Sequence, residues 1–266
     1  MTSREKLKNI KRIVVKIGTS SVTHSNGRIN LRRMESLSVA LAELKNRGID
    51  VILVSSGAVG AGAGILGLSE RPKDVTLKQA AASVGQASLM QMYKNFFGAF
   101  NQHVAQILIT KEDMGERKDV VSVIFQKLLE LGIIPIVNNN DAVATDEIEF
   151  SDNDYLAAVV AGLVSADLLV ILTDVDGLYD KSPSSPGAKR ISEVKEITQE
   201  IEAMAGGTGS AFAMGGMFTK INAAKTCTKY NCDMVIAKAD DPKILYNILD
   251  GEDIGTYFQA SATEGE

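Results

Sequence analysis

Six short runs of branched aliphatic residues recur along the chain, each followed by a longer stretch with helical spacing. The runs are "RIVVKIG" (12–18), "IDVILVSSG" (49–57), "VAQILIT" (104–110), "IIPIVN" (133–138), "DLLVILTD" (167–174) and "CDMVIAK" (232–238). They are apolar at consecutive rather than alternate positions, the pattern of strands buried on both faces. Between them lie "NLRRMESLSVALAELKNRG" (30–48), "TLKQAAASVGQASLMQMYKNFFGAF" (76–100), "KDVVSVIFQKLLELG" (118–132) and "YLAAVVAGLVSA" (155–166), all with helical periodicity. Further helices are predicted near 198–205, over "MFTKINAAKTCTKY" and over 241–251. Asn30 suits an N-cap and Gly48 a helix stop. Strands alternating with helices form a mostly parallel sheet covered on both sides, so the prediction is a single α/β/α sandwich. Residues 1–258 read as one domain and 259–266 as a loose tail.

Composition narrows the partners. The 266 residues are 45% hydrophobic and 23% charged, with a formal charge of −5. That balance disfavours a nucleic-acid or anionic-membrane surface, which needs a basic face. The N-terminus "MTSREKLKNIKR" has no apolar core of a signal peptide, and no apolar run reaches the ~20 residues that span a bilayer. The nearest, "LAAVVAGLVSADLLVILT", is split by Asp167. The two cysteines, Cys227 and Cys232, lack zinc spacing and read as small apolar side chains in a reducing compartment. A cytoplasmic location is expected.

In open sheets of this type ligands bind beyond the carboxyl ends of the strands. The residues leaving those ends here are Gly18-Thr19-Ser20, Ser55-Ser56-Gly57-Ala58, Asn138-Asn139-Asn140-Asp141 and Thr173-Asp174. Glycines at such turns let backbone N–H groups approach phosphate oxygens, and a second glycine-rich stretch, 206–220, leads into a helix holding Lys220. No Walker A loop is present. Lys16 stands inside an apolar strand, where an ammonium is costly unless paired or opening into a cleft. It is expected to point toward bound phosphates, with Gly18 letting the backbone turn beside it. In "SDND", Asp152 or Asn153 suits the cap of the following helix, leaving Asp154 free. His24 and His103 stand isolated, and the acidic run 145–149 reads as a solvated loop.

Taken in order, "VVKIGTSSV", "VILVSSGAVGAG", "VGQ", "PIVNNNDAVA", "SDND", "LLVILTDVDGLYD" and "GGMFTKINAA" resemble the glutamate 5-kinases of the amino acid kinase family. The resemblance runs from about residue 10 to about 258 and matches the kinase-only form, without a C-terminal PUA domain. It implies the amino acid kinase fold, with a substrate half up to about 155 and a nucleotide half from about 167. The implied reaction is ATP- and Mg²⁺-dependent phosphorylation of the γ-carboxylate of L-glutamate, the first step of proline synthesis. By motif, Lys16 and Lys220 would contact the transferring phosphoryl group and Asp154 would orient both. Gly18 and Thr19 would form the first phosphate loop. Ser56, Gly57, Asp141 and Asn153 would bind glutamate. Thr173, Asp174 and the stretch Met214, Gly215, Gly216, Met217, Phe218, Thr219 and Lys220 would lie at the nucleotide. No metal ligand is assigned. Proline feedback, a homodimer or homotetramer packed through the 76–100 helix, and a glutamyl phosphate reductase as partner are also implied.

Three stretches depart from the family pattern: Asn139 where it has a glutamate, Met214 in place of a small polar residue, and Val120-Val121-Ser122-Val123 after "KEDMGERK". On motifs alone, another acyl-phosphate-forming kinase, for acetylglutamate or aspartate, and a regulatory paralogue without turnover stay open.

Overall fold

Successive residues of β1 (Arg12–Ile17) enter two different cores. Ile13, Val15 and Ile17 face one side, and Val14 the other. The same alternation holds in β2 (Asp50–Ser55), β5 (Leu168–Thr173) and β7 (Asp233–Lys238). This is why these runs are apolar throughout rather than at every second position. The structure is a computed structural model, and it describes residues 3–143, 152–206 and 216–260.

The sheet also contains β3 (Val104–Ile109), β4 (Ile134–Asn139), β6 (Glu193–Val194) and β8 (Thr256–Phe258). The strand order is β3-β4-β2-β1-β5-β7-β8-β6, and every pairing is parallel except β7 with β8. The connecting helices are α1 (Thr19–Val22), α2 (Leu31–Asn46), α3 (Ala58–Ile65), α4 (Val75–Gly98), α5 (Lys111–Met114), α6 (Lys118–Glu130), α7 (Asn153–Leu163), α8 (Gln199–Met204), α9 (Met217–Lys229) and α10 (Ile244–Leu249). Asn30 caps α2 by accepting from the Arg33 N–H, as expected.

Helices α2, α4 and α10 cover one face through Met34, Leu41, Tyr93, Phe97 and Ile248. Helices α6, α7 and α9 cover the other through Phe125, Leu129, Leu156, Val160 and Ile221. The result is the α/β/α sandwich read from the sequence. Among the described residues no helix is long and apolar enough to cross a membrane. Cys227 and Cys232 are free and buried in the second core.

Three features were not anticipated. Helix α3, "AVGAGAGI", is rich in glycine and is a poor helix former by propensity. It forms because glycine permits close contact with α4: a Cβ on Gly62 would lie 1.8 Å from the Ala81 carbonyl oxygen, and one on Gly85 1.9 Å from that of Ala58. A 3₁₀ helix at Ser3–Asn9 is stapled down by Arg4, whose buried guanidinium donates to the carbonyls of Ser192, Glu252, Ile254 and Gly255. Finally, the tail expected to be loose from residue 259 is fastened for two more residues. The Gln259 N–H donates to the Val194 carbonyl, and the Ala260 N–H to Asp233 Oδ1; residues 261–266 lie outside the described residues.

Candidate active site

Parallel pairing brings the carboxyl ends of β1, β2, β4 and β5 to one edge of the sheet. The chain runs outward from β1 to β2 on one side and returns to β5 on the other, so this edge contains a topological switch point. A cavity of about 450 Å³ opens there. It is lined by Lys16, Gly18, Thr19, Ser56, Gly57, Asp141, Asn153, Asp154, Thr173, Asp174 and Lys220. Eleven residues singled out in the sequence, spread over two hundred positions, thus share one cavity. A larger cavity of about 850 Å³ lies next to it, between α3 and the 23–30 turn. That one includes His24 but neither lysine nor Asp154, so the smaller cavity holds the reactive groups.

Lys16 falls on the same face of β1 as Val14, toward α7 and α9. Those helices carry its partners. Lys16 Nζ lies 2.6 Å from Asp154 Oδ1 in a close ion pair, and Lys220 Nζ donates to Asp154 Oδ2 at 3.0 Å. Thr219 Oγ1 also donates to Oδ2, at 3.0 Å. All three charged residues are buried, Asp154 to 2% exposure, Lys220 to 5% and Lys16 to 8%. Burial pushes the Asp154 carboxyl upward, but the ammonium charges of Lys16 and Lys220 and their hydrogen bonds outweigh it and hold it below the usual carboxylate range. Asp154 is therefore ionised, held between the two lysines, and left free of the helix cap. The helix cap is Asp152, whose side chain accepts from the Asp154 N–H.

One of the two glycine turns differs from expectation. Gly18 has ordinary extended backbone angles, φ −81° and ψ 162°, so no glycine is required there for the turn itself. A Cβ at Gly18 would instead lie 3.9 Å from Lys16 Nζ, beside the ammonium. Gly57 is the residue with a left-handed backbone, φ 107°, at the N-cap of α3. Helices α3 and α7 begin at the cavity, and the first turn of α9 reaches it through Lys220. Their N-termini add partial positive charge that favours anions.

The hydrogen-bond partners of the Asn153 side chain are uncharged. Asn153 Nδ2 donates to Ser56 Oγ at 2.8 Å and to Asn138 Oδ1 at 3.0 Å. Asn153 Oδ1 is buried without a hydrogen-bond partner among the described residues. Asp141 lies on the same cavity. Burial pushes its carboxyl above the usual range, and the charges of Lys78 and Arg71 offset part of that rise. Burial likewise raises Asp152, and the charge of Asp154 adds to it. Thr173 Oγ1 donates to Asp174 Oδ1 at 3.0 Å at the cavity's outer edge.

Not every expected residue reaches the cavity. Gly216 caps α9, and Met217 packs against the second core instead of lining the cavity. Phe218 is half-buried in the first turn of α9 and does not line it either. Met214, Gly215 and the acidic run 145–149 lie outside the described residues. Of the departures from the family pattern, Asn139 lines the cavity, whereas Val120 and Val123 are exposed on α6, remote from it. Asn138, expected at a strand exit, lines the cavity, as do Asp152 and Arg71, which were not expected there. Asn138 was legible as a strand-end amide, but nothing in the spacing of the 68–74 loop marks Arg71.

The sequence pattern of the amino acid kinase family matches residues 11–238. The chain is 50% identical over 268 residues to a glutamate 5-kinase of Clostridium perfringens, covering 98% of this chain and 100% of that one. It is 48% identical to a glutamate 5-kinase of Listeria monocytogenes over 98% of this chain and 97% of the relative, and 50% identical to one of Clostridium acetobutylicum over 97% and 98%. Among solved structures, UMP kinase from Bacillus anthracis superposes with a TM-score of 0.66 at 16% identity, covering 95% of this chain and 97% of its own. UMP kinase from Ureaplasma parvum gives 0.65 at 15%, covering 94% and 98%. At such identities the superpositions speak for the fold.

Proposed function

The chain belongs to the amino acid kinase family, and on that premise we propose that it transfers the γ-phosphoryl group of ATP to the γ-carboxylate of L-glutamate. The products are γ-glutamyl phosphate and ADP, and the reaction is the first step of proline synthesis. The observation that carries this reading is the pair Lys16 and Lys220 sharing Asp154 in a cavity that also offers Asp141 and Asn153 Oδ1 as acceptors. One part of the cavity suits phosphate, and another suits a primary ammonium.

The chemistry follows from charge. A glutamate γ-carboxylate is already ionised at neutral pH, so attack requires no general base. One carboxylate oxygen forms the new bond to the γ-phosphorus as the bond to the bridging oxygen of ADP breaks. Nucleophile and phosphoryl group are both anionic, and their approach is repulsive. Lys16, Lys220 and the nearby helix N-termini offset that repulsion and stabilise the equatorial oxygens in the transition state. Asp154 holds both ammonium groups in place before the substrates arrive, so no reorganisation is needed during reaction. Ser56 and the backbone at Gly57 would hold the glutamate α-carboxylate, and Asn153 and Asp141 its ammonium. Thr173 and Asp174 mark the nucleotide side, with Gly18 and Thr19 toward the phosphates. This divides the domain into a substrate half up to about residue 155 and a nucleotide half from about 167.

Mg²⁺ would supply further charge neutralisation on the phosphates. It takes few protein ligands, and oxygen donors only. Both oxygens of Asp154 are engaged by cations, which leaves Asp152 and Asp174 as the hard donors that fit it at this cavity.

ADP release and hydroxamate trapping with L-glutamate, L-aspartate and N-acetyl-L-glutamate test the reading. The expected result is product with L-glutamate well above the other two. ATP binding without glutamate-dependent product contradicts it.

Asp141 supplies a prediction with a pH signature. Its folded-state pKa is raised, so its ionised form costs stability; that cost is absent below the unfolded value, grows as pH rises from the unfolded value to the folded one, and is complete above the folded one. Asp141→Asn should therefore raise the melting temperature at neutral pH and leave it little changed below about pH 4. The same variant should raise the glutamate KM by about 30-fold or more, the low end for losing one partner of a desolvated charge pair. Melting curves at both pH values and steady-state kinetics check the two effects.

A further inference from the structure

A directed chain of side-chain amides runs from α4 into the cavity. Gln86 Oε1 accepts from Asn138 Nδ2 at 3.0 Å, and Asn138 Oδ1 accepts from Asn153 Nδ2 at 3.0 Å. The Asn139 backbone N–H donates to the same Asn138 oxygen at 2.9 Å. A backbone N–H only donates, so the oxygen of Asn138 must face Asn139 and Asn153, and its NH₂ must face Gln86. Asn138 is 2% exposed and Gln86 8%. The Asn138 NH₂ group thus requires an acceptor within the protein, and Gln86 provides it.

The polarity carries through to the substrate. Asn153 Nδ2 has two hydrogens, and Asn138 Oδ1 and Ser56 Oγ engage both. What remains of Asn153 is Oδ1, buried and without a partner among the described residues. A ligand can satisfy that oxygen only by bringing a donor. Gln86 itself does not line the cavity.

We propose that Gln86 is a positioning residue for substrate selectivity: it satisfies the NH₂ of Asn138, whose amide polarity the Asn139 N–H sets, and so holds Asn138 against Asn153, so that the cavity accepts a free α-ammonium and discriminates against dicarboxylates lacking one. This rests on the glutamate kinase reading and assigns that reaction's preference for an amino acid to a group outside the cavity. Methionine at this position keeps the length of the side chain and removes the acceptor. Glutamate keeps an oxygen acceptor whether ionised or protonated.

The test compares wild type, Gln86→Met and Gln86→Glu by KM for L-glutamate, KM for ATP and the inhibition constant of glutarate, which lacks the ammonium. Gln86→Met is expected to raise the glutamate KM by about tenfold or more, the scale of one buried hydrogen bond left unmade. The ATP KM and the glutarate constant should move far less, and Gln86→Glu should restore most of the glutamate affinity. Gln86→Leu gives the same readout where Gln86→Met does not fold. An unchanged glutamate KM in Gln86→Met overturns the proposal, as does a parallel rise in all three constants, a Gln86→Glu variant that restores nothing, or failure of both apolar variants to fold. A wild-type enzyme inactive with glutamate removes the underlying functional reading, which is a separate result.

Discussion

Lys16→Met should leave the protein folded and lower kcat by about 10²–10³-fold, the scale of losing one preorganised donor at a transition state. The side chain lies at the carboxyl end of β1, and its hydrocarbon stem shares a face with Val14. Methionine preserves that stem and removes only the ammonium. Asp154 keeps a counter-charge after the change, because Lys220 and Thr219 still hold Oδ2, although Oδ1 loses its contact with Lys16. Stability should therefore fall modestly. The kinetic loss should appear in kcat more than in the ATP KM, since the interaction strengthens as charge moves onto the transferring oxygens. Activity within tenfold of wild type, or a variant that does not fold, contradicts this role.

Asp154→Asn is expected to have the broader effect. It leaves two buried ammonium groups without their shared anion, and breaking a buried pair in this way costs about 3–5 kcal/mol. Turnover should fall by about 10²-fold or more, because neither lysine is then held in place for the phosphoryl group. The pH dependence has a definite sign. The folded-state pKa of Asp154 is depressed, so its stabilising contribution is complete above the unfolded value and is lost as pH falls through the folded one. The stability gap between wild type and variant should be widest near neutral pH, begin to narrow only below about pH 4, and close at lower pH still, where the folded carboxyl is protonated. Chemical denaturation at pH 7 and at a series of pH values from about 4 downward measures it. A gap that is independent of pH, or absent at pH 7, would show that Asp154 is not ionised between the lysines.

The inner strands were legible because burial on both faces demands consecutive apolar residues; β3, at the sheet edge, shares the pattern although only Ile109 is buried. Lys16 was legible for the same reason: within such a run an ammonium is an exception that needs a cause. Helix α3 was not legible, because three glycines lower its local propensity and its stability comes from backbone contact with Gly85 and Ala81 on α4. Gly18 and Gly57 look alike as residues following strands, yet only Gly57 takes a left-handed backbone; the difference depends on how each strand exit meets its neighbour. The SDND motif left Asp154 free of the helix cap, and the packing of α9 beside α7 brings Lys220 to it opposite Lys16. The Gln86–Asn138 bond joins residues 52 apart in sequence, and no local pattern announces it. Strands β6 and β8 have two and three residues, too few to show periodicity.

The most direct measurement is a structure of the enzyme with ADP, Mg²⁺, aluminium fluoride and L-glutamate, in which the fluoride stands for the phosphoryl group in flight. The account predicts the ammonium groups of Lys16 and Lys220 both at hydrogen-bond distance, about 3 Å, from the fluoroaluminate, with Asp154 still between them and the substrate ammonium on Asn153 Oδ1. A complex with either lysine turned away from the fluoroaluminate, or with glutamate bound outside this cavity, would contradict it.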